Sequence, residues 1–152
     1  MQLSEYFKLE EFTNSDTAKS KGINNTPDTQ VLINIVRLHD NTLYKLRKNL
    51  GHPVIITSGY RCKALNTAVG GAANSQHLTG EAADFVVQGQ TNGAVFNWCK
   101  KNLEFDQLIL EQSCSSCWIH ISYKLKGNRR QALKFDGKKY VWQKKTGAGV
   151  IL

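Results

Sequence analysis

A chain of 152 residues with 41% hydrophobic and 21% charged side chains is long enough for one domain, which would bury about two-thirds of the surface its unfolded form exposes. No apolar run approaches the roughly 18 residues a membrane span requires, and no repeat or low-complexity tract is visible, so spanning, solenoid and disordered classes are set aside. The net charge of +8 is concentrated late, in Lys124, Lys126, Arg129, Arg130, Lys134, Lys138, Lys139, Lys144 and Lys145. That pattern fits a solvated basic face or attraction to an anionic polymer, and nucleic acid is not the expected partner.

From the amino terminus, Leu3, Tyr6, Phe7, Leu9 and Phe12 set among acids predict a strap or short helix against the core. Thr26-Pro27-Asp28 reads as a helix start, with Thr26 as the N-cap, Pro27 at the first helical position and Asp28 in the first turn. Val31, Leu32, Ile35, Leu38, Leu46 and Leu50 then recur at helical spacing until Gly51, which is placed to close the helix. His39, inside this stretch, reads as structural or exposed. Pro53 to Thr57 is short and β-branched, a buried strand that delivers Ser58-Gly59-Tyr60-Arg61 at its end.

Lys63 to Val69 predicts a helical turn, and Gly70-Gly71 frees the chain beyond it. Asp84 opens an apolar run, Phe85-Val86-Val87, read as a strand. Thr91 caps a second long helix running to Lys101. Asp106 to Glu111 is another strand, with Gln107, Ile109 and Glu111 on one face, and Trp118 to Tyr123 places Trp118, His120 and Ser122 together. Ala132 to Phe135 and Lys139 to Trp142 form a hairpin across Asp136-Gly137, and Thr146 to Leu152 is a tail. The expected architecture is α+β: an antiparallel sheet with helices packed on one side and a metal site at the sheet. Residues 1–152 are expected to form a single monomeric domain ending in a basic, hairpin-like segment over 124–152.

Four cysteines, Cys62, Cys99, Cys114 and Cys117, are too few for a disulfide scaffold. Cys114 to Cys117 is a CxxC that leads into a strand, not a helix, and lacks the second pair a zinc ribbon needs, so inert thiols or an incidental loop disulfide are expected. His77, Asp84 and His120 are ligands of the kind catalytic zinc takes, two imidazoles and a carboxylate, leaving a fourth position to water. On spacing alone these residues read more readily as hydrogen-bonded, partly buried side chains than as a metal site.

Ser75, His77, Gly80, Ala82 and Asp84 match the pattern S-x-H-x-x-G-x-A-x-D, and Ser58-Gly59-Tyr60-Arg61, Leu65-Asn66 and Val69-Gly70-Gly71 match an upstream block. Both blocks resemble the D-Ala-D-Ala carboxypeptidase/endopeptidase family of zinc peptidases, family M15. Ser15 to Ala18 and Asn24 to Pro27 are similar to its small bacterial and phage branch. The resemblance runs from about residue 5 to residue 123 and implies Zn2+ on His77, Asp84 and His120. It also implies a substrate-binding role for Arg61 and Ser75, and a peptidoglycan stem peptide as substrate, cut as a carboxypeptidase or endopeptidase would cut it, in the manner of an endolysin.

A guanidinium at Arg61 suits a substrate carboxylate because it can bind both oxygens at once. Several members place the catalytic acid three residues before the second histidine, where this chain has Cys117, a poor proton shuttle. Glu111, nine residues before that histidine as in the small branch it resembles, is the candidate general base, with no protein base and Glu81 as the alternatives. The amino terminus lacks a basic stretch followed by an apolar one, so no signal peptide is expected. A chain made in the cytoplasm and released to act at the wall or periplasm, as a phage lytic enzyme is, fits that start. Two rivals remain: a peptidoglycan-binding module with a vestigial metal site, and a nucleic-acid-binding protein with an incidental His/Asp cluster.

Overall fold

In the computed structural model, residues 1–112, 117–143, 145–146 and 150–151 are described. Short helices α1 (Leu9–Thr13) and α2 (Asp16–Lys21) precede α3 (Thr29–Leu38), a π-turn at His39–Leu43, and α4 (Tyr44–Leu50). The long helix starts two residues later than the sequence suggests. Asp28, not Thr26, is the N-cap, its carboxylate accepting from the Val31 amide, while the Thr26 hydroxyl donates to Asn24 instead. The helix is interrupted where the buried Thr42 hydroxyl bonds back to the Leu38 carbonyl, and buried His39 is fixed between Ser4 and Asp40. Gly51 closes α4 in the left-handed conformation.

Beyond α4 come β1 (Val54–Ser58), α5 (Lys63–Ala68), a 3-10 turn (Gln76–Thr79), β2 (Ala82–Val87), α6 (Asn92–Asn102), β3 (Gln107–Glu111) and β4 (Trp118–Ser122). The remaining strands are β5 (Gln131–Phe135), β6 (Tyr140–Trp142), β7 (Lys145–Thr146) and β8 (Val150–Ile151). Strands β1 to β6 form one sheet in the order β1-β2-β4-β3-β5-β6, and β7 pairs with β8 separately. The α+β expectation holds, with one ladder departing from it: β3 and β5 run parallel, so the sheet is mixed. Alternation of side chains sets which face a strand buries and says nothing of its partner's direction. The parallel ladder begins where the Arg130 and Gln131 amides bond the carbonyls of Phe105 and Asp106. The Asp136-Gly137 hairpin between β5 and β6 forms as expected, with Asp136 accepting from the Lys138 and Lys139 amides.

Strand β1 is an edge strand, not the fully buried one its β-branched run suggests: Val54 is buried, whereas Ile55 is 48% exposed. A bulge between Ile56 and Ser58 sets Ser58 opposite Asp84. Bulges of this kind re-aim a side chain at the end of a strand. One face of the sheet carries Ala83, Phe85, Val87, Leu108, Leu110, Ile119 and Ile121, all buried in a cluster with Ile35, Leu38, Leu46, Val95 and Phe96 from α3, α4 and α6. Fully burying each of the larger side chains is worth about 1.5–3 kcal/mol, so this face holds the fold together. The opposite face carries Asp84, His120, Ile109 and Glu111.

Candidate metal centre and its cleft

Asp84 on β2 and His120 on β4 are direct cross-strand partners, which brings their side chains together without any loop. His77 arrives from the 3-10 turn. Ser75 caps that turn by accepting from the His77 amide, and Gly80 ends it at φ +75°. A Cβ on Gly80 would stand 2.8 Å from the Val31 carbonyl oxygen, so only glycine lets the turn lie against α3. The His77 Nδ1–H donates to the Gly59 carbonyl at 2.7 Å, which fixes the tautomer and leaves Nε2 facing Asp84 at 3.3 Å. His120 Nδ1 lies 2.9 Å from the same Asp84 oxygen.

One donor atom from each of His77, Asp84 and His120 lies within 4.8 Å of the other two. Donors about 2.0–2.1 Å from a tetrahedral ion stand roughly 3.3 Å apart, so the separations of 3.3 and 2.9 Å suit zinc-sized coordination. Burial alone would push the Asp84 carboxyl up. Hydrogen bonds to His120 and His77, and electrostatic attraction toward those rings, outweigh it and hold Asp84 well below the usual carboxylate range. A carboxylate kept ionised beside two imidazoles is the donor set a divalent cation takes.

The cluster opens into a cleft of about 580 Å³, which Arg61, Ser75, Glu111, Trp118, Arg129 and Tyr140 also line. Glu111 ends β3 on the cleft face, as alternation from Gln107 predicts. Burial and the neighbouring Asp84 charge lift its carboxyl above the ordinary value, with His120 pulling the other way. Arg61 is held at the cleft lining by its Nε–H to Asn66 Oδ1 (3.1 Å) and its Nη1–H to Ser58 Oγ (3.2 Å). A family model described as Peptidase M15 matches residues 5–122.

The chain belongs to the peptidase M15 family. Membership implies a metallopeptidase with a peptidoglycan-related substrate. No curated protein sequence matches the chain at a significant level.

Within this M15 chain, both sequence blocks meet at one place. The Gly59 carbonyl of the upstream block orients His77 of the downstream one, and the Arg61 amide donates to the His77 carbonyl. Ser75, expected to touch substrate, borders the cleft while its hydroxyl holds the His77 turn. Glu81 does not line the cleft; its carbonyl pairs with the Tyr123 amide. Burial pushes the Cys99 thiol up to about 12, which makes it inert. The Cys114 end of the CxxC lies outside the described residues.

Sequence reasoning missed one part of the M15 cleft. Asp106 is fully buried and receives the Arg129 Nε–H (2.9 Å), Nη2–H (2.7 Å) and backbone N–H (3.1 Å), together with Gln76 Nε2–H (3.0 Å). Burial opposes its charge, but the Arg129 hydrogen bonds outweigh it and bring the Asp106 carboxyl down to about 2. Gln76 adjoins His77, so this carboxylate ties the metal turn to the segment after β4. No local signal marks the link: Arg129 is one of many late cations, and its partner lies 23 residues earlier.

Proposed function

We propose that this M15 chain is a zinc peptidase that hydrolyses peptide bonds in peptidoglycan stem peptides or their cross-links. The observation that carries this reading is the convergence of His77, Asp84 and His120 in a cleft that Glu111 shares. Those three residues would hold the ion, two of them on adjacent strands of a rigid sheet. When bound, zinc supplies Lewis acidity, polarising a carbonyl and bringing the pKa of water toward about 7.

The protein's own groups do the rest. Glu111 takes the proton of the attacking water on its carboxylate and hands it to the leaving amine, and a carboxyl raised by burial is better matched to both halves of that task at neutral pH. Arg61 grips a substrate carboxylate through the N–H groups that Ser58 and Asn66 do not occupy. Trp118 and Tyr140 supply aromatic surface in the same cleft. The site of action on this reading is the cell wall, with a phage-released lytic enzyme as the matching source.

Glu111→Gln tests it. Turnover of purified peptidoglycan, read by mass spectrometry of released fragments, should fall by roughly 10²–10⁴-fold while elemental analysis still finds one zinc per chain. Equal digestion by Glu111→Gln and the unaltered chain would remove Glu111 from the chemistry. Absence of zinc from the purified protein would remove the metallopeptidase reading.

A further inference from the structure

Arg129 lies beyond the segment the family match covers, yet it lines the cleft that contains His77, Asp84, His120 and Glu111. It enters from the β5 side, whereas Arg61 enters from the β1 side, with the strands bearing Asp84 and His120 between them. Its carboxylate partner and the guanidinium differ sharply in exposure: the Asp106 side chain is 0% exposed, that of Arg129 51%. The Nε and Nη2 edge is spent on Asp106, and among the described residues Nη1 takes no hydrogen bond within the chain. Lys124 Nζ stands 3.5 Å from the same carboxylate. Two cations against one buried anion leave a unit of positive charge over, beside a cleft that the half-exposed Arg129 lines.

We propose that Arg129, locked in place by Asp106, is a second carboxylate anchor that selects substrate peptides bearing an acidic group apart from the one Arg61 takes. A guanidinium immobilised along one edge presents its other N–H groups without further loss of side-chain freedom, and pairs with both oxygens of an incoming carboxylate. Gln76 transmits the same anchoring to the turn that carries His77. Substrate preference and metal geometry therefore share one buried ion pair.

This inference rests on the peptidase reading for its substrate class, and the experiment separates the two. The probes are two synthetic stem peptides, identical except that the α-carboxylate of the D-glutamate at the second position is free in one and amidated in the other. With the zinc-loaded full chain, kcat/KM for the acid should exceed that for the amide. Because Arg129→Gln alone strands a buried carboxylate, the informative variant is Arg129→Gln combined with Asp106→Asn, which removes both charges together. Its acid-to-amide ratio should fall by about 10-fold or more, through KM, the loss expected when a hydrogen bond to a charged group is removed. Calorimetric binding of the same two peptides supplies a readout independent of turnover.

A variant that keeps the wild-type ratio, whatever its absolute rate, overturns the anchor and leaves Arg129 as compensation for Asp106. If the unaltered chain cleaves neither peptide, the function proposed above fails. Calorimetry then decides the anchor alone, with equal affinity for acid and amide rejecting it.

Discussion

The two faces of the sheet are written in the same strands, one residue out of step. Phe85 and Ile119 point into the helix-covered core, while Asp84 and His120, their immediate chain neighbours, point into the cleft. The buried face is held by apolar area and tolerates no water. The other keeps an ionised carboxylate beside two imidazoles, 3.3 and 2.9 Å from its oxygen. Strand alternation explains how both fit in so short a chain: a slip of one residue would put Asp84 in the core and Phe85 in the cleft in β2, and His120 in the core and Ile119 in the cleft in β4. Stability and chemistry are separated by direction, not by distance.

That separation can be broken from either side. The largest effect is expected on the cleft face. His120→Ala should leave the chain folded by circular dichroism, yet zinc content should drop to background and turnover should lose the several kcal/mol a bound metal contributes. Retention of stoichiometric zinc by His120→Ala would show that the ion sits elsewhere. One step away, Phe85→Ala should do the reverse. It removes a fully buried ring and should cost about 3–5 kcal/mol in urea unfolding, with zinc stoichiometry unchanged in the fraction that remains folded.

The smallest effect sharpens the comparison at the edge where the faces meet. Asp106 is depressed to about 2 in the folded chain from an ordinary 3.8, so its stabilisation is fully present above about pH 4 and is lost as pH falls toward 2. The loss amounts to about 2 kcal/mol. Asp106→Asn should flatten unfolding free energy across that acid window, and an unchanged pH profile would mean that Asp106 is not the group responsible.

The features legible in the sequence were those with a local rule behind them. Period-two alternation placed His120 and Glu111 correctly on strand faces, and the Gly51 and Thr91 signals closed α4 and opened α6. What escaped depends on contacts between distant residues. The cap moved from Thr26 to Asp28 because both are competent N-caps, and Asn24 claims the Thr26 hydroxyl. The parallel β3 and β5 ladder, the exposed edge at Ile55 and the Asp106–Arg129 pair follow from strand order and pairing, which alternation does not encode.

The close approach at Gly59 reaches further than the turn it permits. A Cβ there would clash with the Phe12 carbonyl oxygen, well inside van der Waals contact, and this is the same oxygen to which the Tyr60 amide donates. Gly59 in turn offers its own carbonyl to His77. The first helix is thus mechanically in series with His77: peeling the amino terminus away, by proteolysis or by a bulky fusion, would loosen that imidazole in the same event that strips Phe7 and Phe12 from the core.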